Sequence, residues 1–446
     1  MSSVLIVGSL TASTLARRGF NVKLYEQKCD IRTAPVVKGK SINLALSERG
    51  RSALRLLNLE EEVLKNCIPM KARLIHDKNG NKREIAYGKE DQFINSVGRR
   101  YLNEILLNEA EKYSNLKLCF NRKLVSCDFD EGKFTFASDS EEKLEIVEAD
   151  VIIGADGAHS AVRREMIERI PIDFSQIYIE HGYMELCIKP NEKGDFAIEA
   201  NFLHIWPRGS LMMIALPNLD RSFTVTLFMP FKQFDSLKTS EQLFEFFETN
   251  FKDAIALIGK EQLAKDFFSK RPNALISVKC KPYNFGKRAL LIGDAAHAMV
   301  PFFGQGMNCG FEDCFILNEI LDTNNNNLKD ALPEFTRKRN ADCFMICDLA
   351  MYNYVEMREL VNNPRFLLRK KFDSYMHSLF GRKWIPFYSM VTFTRIPYYE
   401  CVRRKNFQDK LIALTQYLAM TSSLLAIFIT IVKLKKFHFL NFNKIL

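Results

Sequence analysis

Short, mainly apolar runs mark residues 3–7, 149–153 and 289–292 as buried strands of the parallel type, and 21–25 as the strand that follows the first. Between 3–7 and 21–25, residues 10–18 place apolar positions at helical spacing, so the chain opens as a βαβ unit. A helical stretch over 48–66 follows. A strand pair through 73–87 turns at Asn79-Gly80, residues 99–113 read as an amphipathic helix, and 116–136 alternate as strands bent at 128–132. The pattern changes over 178–280. There, 196–206, 211–216 and 221–228 alternate or stay apolar between turn residues Pro207-Arg208-Gly209 and Asn218, which predicts a mostly antiparallel inserted sheet. A helix over 306–321 closes the first domain, and 333–408 read as helices broken near Pro364 and Pro386.

The far end of the chain differs from all of this. Residues 411–432 hold no charge, with Asp409 and Lys410 before them and Lys433, Lys435 and Lys436 after. As a helix such a segment is about 33 Å long, enough to cross a hydrocarbon layer of about 30 Å. It is expected to be a transmembrane anchor, although Gln416 and the polar residues 421–423 dilute the signal.

Composition bounds the remainder. With 446 residues, 47% of them hydrophobic, the chain has material for a large core in two or three domains. The net charge of +10 suits phosphate-bearing ligands or an anionic membrane surface, and no nucleic-acid motif accompanies it. Eleven cysteines without a CxxC pair fit free thiols in a reducing compartment, and the first apolar run is too short for a signal-peptide core. The body is therefore expected to face the cytosol.

Three segments carry chemistry. The first strand stops at Gly8, and Ser9 begins the helix at once, so the G-x-G-x-x-G turn of a dinucleotide site is absent. Glu26, at the end of the second strand, has the position of a ribose-binding carboxylate but follows Gly8 by 26 − 8 = 18 residues, short of the usual ~20 or more. In the second segment, residues 151–160 are followed by Arg163. Its small residues allow close backbone approach, Asp156 can accept hydrogen bonds, and Arg163 can hold a phosphate or an acidic partner. The third segment spans 290–308. Asp294 follows a strand and can bind cofactor hydroxyls, while Gly304 and Gly306 precede a helix whose N–H groups, including those of Met307 and Asn308, suit the electron-rich edge of a flavin. Together these point to FAD.

The stretches SINLALSERG (41–50), IPMKARLIH (68–76), HGYMEL (181–186), NFLHIWPRG (201–209), TLFMPF (226–231), GDAAHAMVPFFGQGMNCGFED (293–313) and MYNYVEMRE (351–359) carry a family resemblance. The chain resembles the FAD-dependent aromatic hydroxylases, and more closely their kynurenine-hydroxylating branch, from residue 4 to about 410 and in its apolar tail. That resemblance implies reduction of FAD by NADPH, reaction with O2 to a flavin C4a-hydroperoxide, and hydroxylation of L-kynurenine to 3-hydroxykynurenine. No metal is implied. It implies that Arg73 and Tyr87 grip the substrate carboxylate, that Asn353, Glu356 and Tyr388 are further contacts, and that Phe228 and Phe302 are pocket walls. For the cofactor it implies Glu26 on the adenosine ribose, Arg99 on the phosphates and Asp294 on the ribityl chain. His297 is read as a packing residue, because that chemistry needs no strong protein base. By the same resemblance the anchor lies in the mitochondrial outer membrane. The departure is at Gly8, after which the family has five more residues, glycines among them.

The expected fold class is α/β, with a Rossmann-like FAD-binding domain and an inserted, mostly antiparallel substrate sheet, then helices and a membrane helix. The expected boundaries are 1–177 and 281–332 for the FAD-binding parts, with a contribution to the substrate site near 70–90. The substrate domain takes 178–280, helices 333–410, the anchor 411–432 and a basic tail 433–446. Hydroxylation of another aromatic acid, or a flavin-poor non-catalytic role, are the alternatives that the sequence leaves open.

Overall fold

A computed structural model describes residues 3–6, 8–35, 43–89, 91–138 and 141–442. Val7, the expected end of the first strand, and residues 443–446 lie outside them. The apolar runs meet in a six-stranded sheet ordered Asn284–Phe285, Ala289–Leu291, Val151–Gly154, Ser3–Ile6, Asn21–Tyr25, Leu116–Cys119. All neighbours are parallel except the first pair, in registers such as Val4 opposite Val151, Val4 opposite Val22 and Ile152 opposite Ala289. Strands with both faces covered need apolar residues throughout, and Leu5, Ile6, Ile152, Ile153, Leu290 and Leu291 are all fully buried. From the central strand Ser3–Ile6, the chain winds one way through Asn21–Tyr25 and the other through Val151–Gly154. Ligands of such sheets bind at that point of reversal, at the carboxyl ends of the strands.

The inserted sheet has seven strands, ordered Asn273–Lys281, Asp173–Ile188, Phe223–Pro230, Leu211–Pro217, Phe202–Arg208, Ala72–His76, Lys82–Ala86. It is antiparallel except where Phe202–Arg208 runs parallel to Ala72–His76. That pair joins residues from the early part of the chain to the insertion. Alternation along Ala72–His76 turns Arg73 and Ile75 to one face and Leu74 and His76 to the other. The second face is covered by four helices, Phe231–Ser236, Ser240–Asn250, Lys252–Ile258 and Lys260–Phe268, over a core that includes Trp206, Met213, Phe247 and Phe251. Buried polar groups lock this layer: His76 Nδ1 lies 2.6 Å from Asp253, His76 Nε2 lies 2.9 Å from His204, and Trp206 Nε1 donates to Asp253. Burial pushes His204 down to about 4, so it bridges the strands as a neutral ring.

Behind the sheets run the helix Gly306–Thr323 and the 31-residue helix Leu328–Arg358. The surface helix Pro364–Phe380 follows, and the tail helix Tyr398–Phe442 ends the described chain. The tail helix starts inside the protein at the fully buried Tyr398, and over residues 411–433 most of its apolar side chains face outward.

Candidate functional site

At the point of reversal, Gly8 caps the nine-residue helix Ser9–Arg17 without any side-chain hydrogen bond. Its carbonyl accepts from Ala12, so the N–H groups of Ser9, Leu10 and Thr11 are the free first-turn donors, beside the positive helix end. A Cβ on Gly8 would sit 2.9 Å from that of Ala155, so the first and second segments touch here and only glycine fits. Asp156 uses Oδ2 to cap the following helix at Ala161 and Val162, and its buried Oδ1 has no partner among the described residues. Arg163 corrects an expectation: its guanidinium donates to the carbonyls of Ala295 and Ala158 and stacks over Phe174. It ties the second segment to the third and is not free for a phosphate. Glu26 is half-buried at its strand end, with Oε1 accepting from the N–H of Lys28.

In the third segment, Gly304 adopts φ 65°, a left-handed turn suited to glycine, and Gly306–Thr323 then begins without a side-chain cap. The first-turn N–H groups of Gly306, Met307 and Asn308 point out of a helix 18 residues long. The Asn308 side chain does other work: it accepts from Ser47 N–H at 2.8 Å and donates to the carbonyls of Ala45 and Gly304, holding the turn in shape. Asp294 is open to solvent yet ringed by protein, so desolvation raises its carboxyl above the usual range while His297 and Arg99 oppose the rise. Arg99, exposed and with no ion-pair partner among the described residues, also acts electrostatically on Tyr183 and Glu185 of the inserted sheet. The chemistry of these residues is compatible with FAD: uncapped first-turn donors at two helix ends, the carboxyl groups of Glu26, Asp156 and Asp294, and Arg99, which has no ion-pair partner among the described residues.

Beneath the turn at Gly304 lies a buried ionic network. His297 Nε2 is 2.6 Å from Asp313, Arg339 Nε 2.7 Å from Asp313, and Arg49 Nη1 2.7 Å from Glu312. Burial alone would lower the His297 imidazole, but Asp313 raises it well above its usual value. Burial alone would raise Asp313, but His297 and Arg339 hold it at about 2. His297 is thus a charged brace. His297, Cys309, Asp313 and Cys343 bring their ligand atoms within 4.8 Å of one another. Arg339 enters that nest as a second cation beside His297, donating to both Asp313 and Cys309 Sγ.

The substrate candidates converge where the inserted sheet meets the helices. Arg73, 2% exposed, donates from Nη1 to Glu356 at 2.8 Å, and its guanidinium lies 4.6 Å from the centre of the Tyr388 ring. Tyr388 stacks between Tyr87 and Phe303, each ring centre 5.5 Å away. Asn353 donates to the Phe302 carbonyl at 2.8 Å, Phe302 stacks on Tyr354 at 3.9 Å, and Phe228 tilts against Phe302 at 5.0 Å. Arg73 Nε, Tyr87 OH and Asn353 Oδ1 are buried without a hydrogen-bond partner among the described residues. A protein pays for such orphans unless a ligand satisfies them. Sequence reasoning missed Tyr354, and Lys370, which burial and Arg73 push down to about 7 against the pull of Glu356. Tyr354 lies in the quoted MYNYVEMRE stretch, one residue from Asn353; nothing local marks Lys370.

Residues 2–332 match the FAD binding domain family. Among solved structures, 2-methyl-3-hydroxypyridine-5-carboxylic acid oxygenase shares the fold with a TM-score of 0.65 at 20% identity, over 82% of this chain and 95% of that one. Fold and family together define an FAD-dependent monooxygenase. Kynurenine 3-monooxygenase of Anopheles gambiae is 52% identical over 95% of this chain and 87% of its own length, and that of Sus scrofa 49% identical over 91% and 86%. The chain belongs to the kynurenine 3-monooxygenase family.

Proposed function

We propose that this chain hydroxylates L-kynurenine to 3-hydroxykynurenine, consuming O2 and NADPH and releasing water and NADP. The observation that carries the reading is the pocket end where Arg73, Tyr87 and Asn353 leave buried polar atoms unpaired beside apolar walls. An amino acid with an aromatic side chain suits both halves. Arg73 with Tyr87 and Tyr388 would take the carboxylate, and Asn353 Oδ1 offers an acceptor to the ammonium group. Phe228, Phe302 and Tyr354 would flank the ring and exclude water. Glu356 holds Arg73 in place. FAD, when bound and reduced by NADPH, supplies the oxygen-activating chemistry. Glu26, Arg99, Asp156, Asp294 and the turns at Gly8 and at Gly304 to Asn308 would hold it. Full-length protein with excess FAD should oxidise NADPH faster when kynurenine is added and form 3-hydroxykynurenine; preference for a hydroxybenzoate would instead support the other aromatic-acid reading.

The short turn at Gly8 favours a second reading, a flavin-poor homologue. Its signature is no bound flavin and no kynurenine-stimulated NADPH oxidation at excess FAD, and recovery of both when a five-residue glycine-containing loop is placed after Gly8. The helix Tyr398–Lys433 is long and apolar enough to span a bilayer, which supports an anchored protein. We assign it to the mitochondrial outer membrane with the body toward the cytosol; resistance to carbonate extraction tests the anchor, and organelle fractionation the address.

A further inference from the structure

The surface helix Pro364–Phe380 is turned the opposite way from an ordinary amphipathic helix. Leu368, Phe372, Tyr375 and Leu379, spaced by four, three and four residues, form one stripe and are 70%, 40%, 62% and 58% exposed. The side facing the protein is mixed: Leu367 packs on the main core, and Arg369, Asp373 and His377 lie half-buried beside it. Arg369 pairs there with Asp373 at 2.9 Å and with Asp409 at 2.7 Å. Trp384 Nε1 donates to Asp373, and His377 Nδ1 lies 2.7 Å from the Trp384 carbonyl. These bonds keep the helix from rolling its stripe inward.

We propose that this helix lies on an anionic bilayer, its stripe set into the boundary between headgroups and acyl chains beside the point where the tail helix enters. The inference rests on the membrane reading of the tail. Asp409, to which Arg369 is bonded, stands two residues before the uncharged run begins at Leu411, so the stripe is tied to the level of the entry point. Charge agrees with a lipid surface: Lys371, Arg382, Lys383 and Lys410 are exposed with no ion-pair partner among the described residues. Lys370, on the inward side of the same helix, acts electrostatically on Arg73 and Glu356, so a docked helix is held against the carboxylate end of the pocket.

The test uses the full chain in phosphatidylcholine vesicles containing phosphatidylserine, with Tyr375→p-benzoylphenylalanine as a photo-crosslinker. Leu219→p-benzoylphenylalanine, at an exposed turn of the inserted sheet, is the control. Lipid adducts at 375 and none at 219 are expected, with a lower yield in phosphatidylcholine alone. An adduct to a second copy of the chain, or no adduct at 375 in protein that resists carbonate extraction, would overturn the proposal. Equal yield without phosphatidylserine would remove its anionic part. Protein stripped from the vesicles by carbonate would instead refute the anchor on which the proposal stands.

Discussion

Replacing Arg73 tests the substrate assignment most sharply. Arg73→Met keeps the volume and removes the charge. The lost charge-assisted hydrogen bond to the substrate carboxylate is worth about 1.5–3 kcal/mol, which is roughly a 10- to 150-fold rise in KM for kynurenine. The single variant does more than that. It leaves the Glu356 carboxylate, only 12% exposed, facing the substrate carboxylate in place of the guanidinium that neutralised it. The double variant Arg73→Met with Glu356→Gln removes that repulsion and should recover part of the loss. The assay is kynurenine-stimulated NADPH oxidation at saturating FAD, run in parallel with kynuramine, the analogue without the carboxylate. Arg73 acts at the head group, so kcat should move little and kynuramine should be nearly indifferent to the change. An equal rise in KM for both substrates would mean that Arg73 supports the fold of the pocket and does not read the carboxylate.

Tyr87→Phe should raise KM for kynurenine by about 3- to 10-fold, while the melting temperature stays level or rises, since the buried hydroxyl has no partner to lose among the described residues. A fall in melting temperature would show that the hydroxyl is satisfied within the fold. Gly8→Ala puts a methyl 2.9 Å from Ala155 and should lower stability by about 1–3 kcal/mol together with FAD retention, read by thermal melting and flavin absorbance. Asp313→Asn tests the buried network. With its carboxyl held at about 2, against an ordinary value near 3.8, Asp313 contributes about 2–3 kcal/mol that is fully present above pH ~4 and fades as pH falls toward 2. His297, raised above its usual value, contributes stability that is present below pH ~6.5 and lost as pH rises through the elevated value. The melting gap between wild type and variant should therefore be widest between about pH 4 and 6.5 and narrow toward either side; a gap independent of pH would refute the charged pair.

The inner strands of the parallel sheet were legible because a strand buried on both faces is apolar almost throughout, as in Val151–Gly154 and Ala289–Leu291, whereas Asn21–Tyr25 and Leu116–Cys119 carry exposed Lys23 and Lys117. The inserted sheet was legible from its alternation. The helices between Phe231 and Phe268 were not read, although Thr239 and Gln242 form a capping box of the kind visible in sequence; their Phe-rich windows resemble strand cores as much as helix faces. For the site, local sequence placed the glycine turns and Asp294, and family resemblance alone singled out Arg73 and Tyr87. Pairing across the fold stayed hidden. Arg163 has the look of a phosphate ligand until two carbonyls from other segments claim its guanidinium, and Glu356 finds Arg73 across 283 residues. Such partners are set by the packing of sheet against helix, to which no local pattern points.

The two ends of the proposed cofactor site rest on different supports, and this bears on what the short turn at Gly8 can do. The flavin-side turn is fixed by Asn308 and by the ionic network under it, in which Tyr398 lies under Arg49 at 3.8 Å and donates to Gln305, the residue capping the flavin-side helix. None of these bonds passes through the first strand or its turn. On the proposed FAD reading, the short turn at Gly8 would weaken the hold on the pyrophosphate and, apart from the 3.0 Å Thr11 Oγ1–Cys314 Sγ contact that joins the two helices, leave the donors at the Gly304 turn in place. The deficit then appears as affinity, which added FAD offsets, and leaves kcat at saturating FAD unchanged when the five-residue loop is restored. Had the brace run through Ser9–Arg17, the same change would have altered both constants together.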